Sequence, residues 1–256
     1  MKRVLVSVTA VVAVGAAGCS GGSTPVPSAG GSPGGSSAAS TPAATASATP
    51  SLNGEQSKTA EQVLADAKSA LFNTSAVHVK GTETEQGKTQ TLDLQLQGED
   101  TAGTLTTSGV TLNIVKTASK VYLKAPEQFW VKSAGASIAP KLANRWLEQD
   151  ATKAGDTTSL TLQGVAASLN ASGSALKPGV TPTVVGGQPA VLVTKVSGSQ
   201  LAVANSGAPL PLQIIGKGTT VGTLTFTGYG QAQSISPPAG ALTAEQAVKV
   251  PSAGKA

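Results

Sequence analysis

Cysteine and histidine, residue types often recruited for nucleophilic and proton-transfer chemistry, are almost absent from this chain of 256. There is one cysteine, Cys19, and one histidine, His78. A lone thiol can neither close an internal disulfide nor supply the several ligands of a zinc or iron-sulfur site. His78 stands between Val77 and Val79 in an alternating stretch, which puts it on the opposite, solvated strand face and argues against catalysis. GGSPG at 30–34 fits the hydrolase pattern G-x-S-x-G, yet it lies where the strand-to-helix turn of a nucleophile elbow cannot form. GTETEQGKT at 81–89 places five residues between Gly81 and Gly87 where a phosphate loop has four. An alternating stretch follows it, with no helix whose first amides would hold phosphate. The acidic pairs Glu83 with Glu85 and Glu99 with Asp100 fall at or near turns and read as solvated charges. A glycosidase needs two carboxylates opposed across a cleft. No enzyme, metal site or cofactor is expected.

The cysteine has another use. Lys2 and Arg3 precede an apolar stretch, Val4 to Val14, and then small residues from Gly15 to Gly18, the layout of an export signal. The stretch is too short for a permanent membrane span. Ala16-Ala17-Gly18-Cys19 resembles a bacterial lipobox, in which the signal is cut before the cysteine and a diacylglycerol is attached to its thiol; Ala16 stands where Leu or Val is usual. An ordinary secretory signal with an incidental cysteine is the alternative. Each buried methylene contributes about 0.8 kcal/mol, and two acyl chains make anchoring stable where one is marginal. The expected location is the outer face of the cytoplasmic membrane, with Cys19 as the attachment.

Residues 19–56 form a linker after the 1–18 signal, and from 20 onward they are almost wholly Gly, Ser, Pro, Thr and Ala, too poor in apolar surface to offset the entropy of ordering. As a flexible coil, residues 20–56 would span roughly 33 Å end to end. Residues 57–240 have the length of one domain with a sizeable core, and 241–256 read as a tail. The formal charge is +5 and the pI about 9.4, but the lysines are scattered singly, with no basic stripe among aromatics. Nucleic acid is not an expected partner.

In SKTAEQVLADAKSALFNT, Thr59 and Gln62 have capping-box spacing, and Val63, Leu64, Ala67, Ala70 and Leu71 recur with helical period. The period then falls to 2. Leu92, Leu94 and Leu96 alternate with polar residues, as do the residues of TAGTLTTSGVTLNIVKTASKVYLK between Ser-Gly and Ala-Ser turns, and FWVK reads as the last strand of this run. A helical interlude is expected in IAPKLANRWLEQD, through Leu142, Trp146 and Leu147. A second helix is expected in TTSLTLQGVAASLN, interrupted by Gly164. Strands return in TPTVVGGQPAVLVTKV, QLAVANSGAPLPLQIIG and VGTLTFTGYGQAQSI. Pro209 and Pro211 predict a bend or an edge position there. Runs of strands with helices grouped apart give an α+β domain with an antiparallel sheet.

The lipobox, the linker, the opening helix, VHVKG, VYLK and FW, Trp146, the VVGGQPAVLV hairpin and the GAPLPLQI to TFTGYG finish together resemble actinobacterial envelope lipoproteins of the LppX/LprAFG type. The resemblance implies a fold similar to the LolA and LolB carriers, a strongly curved antiparallel sheet, or half-barrel, with helices on its concave face. It also implies binding of an acylated lipid or lipoglycan between sheet and helices, for transport or presentation in the envelope. An envelope transporter, or a sensor, would be the partner of the alternative, a non-carrying module. The apolar positions that would line such a cavity are Leu92, Leu94, Leu96, Leu112, Ile114, Val121 and Leu123 from the sheet. The helices would add Val63, Leu71, Leu142, Leu162, Val165 and Leu169. Periodicity does not separate a cavity from a packed core, so a filled module contacting a partner protein remains the alternative.

Overall fold

The computed structural model describes residues 50–155, 157–169 and 175–250. The signal segment, Cys19 and the linker up to residue 49 lie outside them. Thr59 caps α1 (Ala60–Phe72): its hydroxyl accepts from Gln62 N while Gln62 Oε1 accepts from Thr59 N, the capping box expected from the spacing. Ala60, Val63, Ala67 and Leu71, three or four residues apart, are its buried face. Five strands follow as a meander: β1 (Val77–Glu85), β2 (Lys88–Gln97), β3 (Asp100–Thr107), β4 (Val110–Lys116) and β5 (Lys120–Lys124).

Two expectations fail in the next segment. FWVK belongs to helix α2 (Glu127–Ala134), not to a strand. Pro126 stands at its N-cap, Glu127 complements the first turn, and Trp130 turns inward, buried, with Nε1 donating to Ala125 O at 3.1 Å. Three consecutive apolar residues carry no period of 2, so tertiary contacts decide. The helix through Leu142 is only α3 (Ala139–Leu142), while Trp146 and Leu147 lie in strand β6 (Trp146–Asp150). Asn144, at φ 57°, takes the left-handed conformation that asparagine tolerates and turns the chain toward β5. There Lys120 pairs with Asp150 at 2.9 Å.

The helix in TTSLTLQGVAASLN forms as α4 (Leu162–Ser168), and Gly164 is needed in it: a Cβ there would lie 1.8 Å from Thr158 O. Then come β7 (Thr181–Val185), β8 (Gln188–Thr194), β9 (Gln200–Ala204), β10 (Pro211–Gly216), β11 (Thr220–Thr227) and helix α5 (Ala244–Lys249). The prolines produce a bend: the β9–β10 register shifts between Pro211 and Gln213, and β10 is an inner strand, not an edge.

All eleven strands form one antiparallel sheet, ordered β6-β5-β4-β3-β2-β1-β11-β10-β9-β8-β7 and not closed. Laid flat, eleven strands would measure about 48 Å across. Yet Leu123 of β5, Leu94 of β2, Phe226 of β11 and Val191 of β8 share one core with α1, α2 and α4, so the sheet curls around its helices. The two edges are protected differently. Leu242 pairs with β6, accepting from Glu148 N at 2.9 Å and donating to Trp146 O at 2.8 Å, and Ala247 of α5 reaches the main core. β7 carries Pro182, which cannot donate to an added strand.

Candidate functional site

Strand registers sort the concave face into rows running across the sheet. The deepest, at the end where β1 begins, is Val77, Leu96, Thr101 and Lys116 on neighbouring strands β1 to β4, all at 4% exposure or less. Its polar members are occupied. Thr101 donates its hydroxyl to Leu160 O, and the Lys116 ammonium donates to Glu99 O at 2.7 Å. Leu162 N donates to Gly98 O, so α4 starts directly on this end. The next row, Phe226, Val79, Leu94, Gly103, Ile114 and Leu123, is buried apart from the half-buried Gly103.

The third row behaves differently. Val193, Leu201, Ile214, Leu224, Gly81, Leu92, Leu105 and Leu112 pair in order across eight strands. Both ends are buried, while the four central members, Ile214, Leu224, Gly81 and Leu92, are only half-buried. At the centre is a glycine because nothing else fits: a Cβ on Gly81 would lie 1.9 Å from Thr223 O and 2.8 Å from Leu224 Cα. Gly81 therefore lets the backbones of β1 and β11 come close together between Leu224 and Leu92. The outermost row, Gly222, Glu83, Gln90, Thr107 and Val110, is half-buried throughout.

Helices above this face form two groups. α1 packs on α4, β8 and β10, and α2 packs on α3, which reaches α5 beside β6. Half-buried apolar side chains project from both groups against the core: Leu64 and Val165 from the first, Phe129, Ala134 and Ile138 from the second. The half-buried middle of the third row thus has the buried ends of that row on either side.

Of the thirteen residues expected to line a cavity, ten are buried. Val63, Leu71 and Leu96 have no exposure; Leu162, Leu112, Ile114, Leu142, Leu94, Leu169 and Leu123 have 2 to 7%. Leu92, Val121 and Val165 are half-buried. The structure gathers Leu92 with Leu224 and Ile214, which sequence reasoning missed, although the alternation in VGTLTFTG marks Leu224 and Phe226 as one face.

Glu83 was also missed as more than a turn charge. It lies on the concave side next to Gly222, where burial first and the Glu85 carboxylate second push its pKa above the usual carboxylate range. His78 is on the convex face as expected, with Nε2 2.7 Å from Asp93 Oδ1. Lys80 at 2.8 Å and His78 together hold the Asp93 pKa down. Residues 81–89 are part of the β1–β2 hairpin, 81–85 and 88–89 paired in the sheet and Gln86 and Gly87 forming the turn.

Where β9 ends, at the buried end of the sheet, Leu52 bridges Ser206 and Asn53 Nδ2 donates to Ala204 O and Gly207 O. The chain thus enters the domain opposite the half-buried rows. No helix among the described residues is long and apolar enough to cross a membrane.

No family model and no curated protein matches the sequence. Among solved structures, the fold is similar to LprF from Mycobacterium bovis, at 13% identity and a TM-score of 0.49, covering 71% of this chain and 97% of that one. It is similar also to the Mycobacterium tuberculosis lipoprotein LppX, at 14% identity and a TM-score of 0.45, covering 69% and 99%. Both are likenesses of fold.

Proposed function

We propose that this chain is an envelope lipoprotein, held to the membrane through acylated Cys19, that takes an alkyl chain of an acylated lipid or lipoglycan onto the middle of its concave face for transport or presentation. One observation carries the reading: Ile214, Leu224, Gly81 and Leu92 form an apolar row left half-buried while both of its ends are buried. Apolar surface in such a trough gains about 25 cal/mol for each Å² removed from water, and recognition of this kind needs no catalytic group. The polar head would lie toward the outermost row, beside Glu83 and Gln90. The two deeper rows belong to the packed interior and support the sheet, so the alkyl chain would lie across the third row without reaching the bottom.

A second reading, a module with a filled interior that contacts a partner protein such as an envelope transporter, draws on the burial of ten of the thirteen expected lining residues. Titration of the full chain with a fluorescent fatty acid separates the two. The carrier reading expects saturable binding, weakened at least tenfold by Leu92→Trp or Leu224→Trp with the melting temperature kept within a few degrees. No saturable binding, or equal binding in both variants, favours the filled module.

A further inference from the structure

We propose that the open end of the sheet docks on an anionic lipid surface through three neighbouring hairpin tips. This contact does not require that the concave row carry a lipid. In the sheet order β2, β1, β11, β10, β9, β8, the β1–β2, β10–β11 and β8–β9 turns follow one another along the end that holds the half-buried outermost row. Each carries one lysine: Lys88 and Lys217, both exposed, and Lys195, half-buried. No ion pair involves any of the three among the described residues, and the carboxylates near these turns are Glu85 at the β1–β2 turn and Glu83 in the outermost row behind it.

The tips are built as a unit. Ser199 Oγ accepts from Lys217 N at 3.0 Å and donates to Lys217 O at 3.2 Å, tying the β8–β9 turn to the β10–β11 turn. Val196 projects from the first at 64% exposure, and Val221 stands just behind the second at 55%. Two exposed valines between lysines suit a bilayer interface, where apolar groups enter the headgroup layer and ammonium groups meet lipid phosphates. The opposite end differs in charge. Its β2–β3 turn carries Glu99 and Asp100, the β7–β8 turn, Gly186 and Gly187, carries no charge, and the lysines flanking the β4–β5 turn are engaged, Lys116 donating to Glu99 O and Lys120 paired with Asp150. The uneven charge would orient the domain with its open rows toward the bilayer. Strands of eight to ten residues separate the two ends by about 30 Å. Residues 20–49, at up to about 3.3 Å each, can span that distance several times over.

The test uses the full chain with Cys19→Ser, carrying a single thiol at Thr219→Cys in the β10–β11 tip or at Glu99→Cys on the opposite end, labelled with an environment-sensitive dye. Vesicles are phosphatidylcholine alone or with about one-third phosphatidylglycerol. The expected result is a blue shift at position 219 on the anionic vesicles only, with no shift at position 99. Changing Lys88, Lys195 and Lys217 to Gln should weaken the response by about fivefold per lysine. Raising salt to about 0.5 M with the unaltered lysines should weaken it likewise, which removes any doubt about folding of the variant. Equal shifts at both positions, no shift at either, or a shift at 219 insensitive to both the substitutions and the salt would overturn the proposal.

Discussion

Leu224 and Leu92 lie one strand away from Gly81 on either side, in register with it on the concave face, and both remain half-buried. Glycine lets β1 and β11 approach where a Cβ would collide with Thr223 O. Gly81→Val should therefore cost at least about 3 kcal/mol, since backbone on the neighbouring strand cannot yield as a side-chain tip would. Urea denaturation checks this; a loss below about 1 kcal/mol would show that the strands separate easily there.

Core and trough should respond differently to truncation. Leu71, with no exposure, should lose about 2–5 kcal/mol on replacement by alanine. Leu92→Ala, at a half-buried position, should cost about half as much or less and act mainly on alkyl-chain binding. Comparable losses in the two variants, measured by the same unfolding assay, would mean that the third row is packed as tightly as the interior.

The α1 cap supplies a local test. Thr59→Ala removes the acceptor for Gln62 N and should destabilise by about 1 kcal/mol, whereas Thr59→Ser should keep most of it. Thermal melts of the two variants are sufficient, and equal melting temperatures would mean the cap contributes nothing to the domain.

Two carboxylates should shape the acid side of the stability curve in opposite senses. The Asp93 pKa is lowered from 3.8, first by Lys80 and then by His78, so its contribution is present above that value and is lost as pH falls through the lower folded pKa. The Glu83 pKa is raised from 4.5 by burial, so the folded state favours its protonated form, and stability from this group declines as pH rises from about 4.5 through the higher folded pKa. Asp93→Asn should flatten the curve below about pH 4, and Glu83→Gln should flatten it above about pH 4.5. Denaturant midpoints at closely spaced pH values would show either change.

Much of this architecture is legible in the sequence because one period dominates each stretch. The capping box and 3–4 spacing define α1, and alternation gives β1 to β5 and β7 to β11. FWVK and RWLEQD were less legible, since three adjacent apolar residues or one tryptophan fit a strand or a helix equally until Pro126, Asn144 and the Ala125 carbonyl take their places. The site was legible by half. Alternation identified Leu92 as inward-facing, but its neighbours across Gly81 come from β11 and β10, more than 120 residues later in the chain, and no local pattern announces that pairing. Glu83 shared its strand's alternation, yet polarity suggested solvent because the inner face of the outermost row reaches the open end.

Native mass spectrometry of the full chain, expressed in a lipid-rich envelope and released in mild detergent, tests the proposed alkyl-chain binding. The expected result is a population heavier than the processed, acylated chain by the mass of one lipid, and the disappearance of that population in Leu224→Trp. A single ligand-free mass in repeated preparations, unchanged by the substitution, would contradict it.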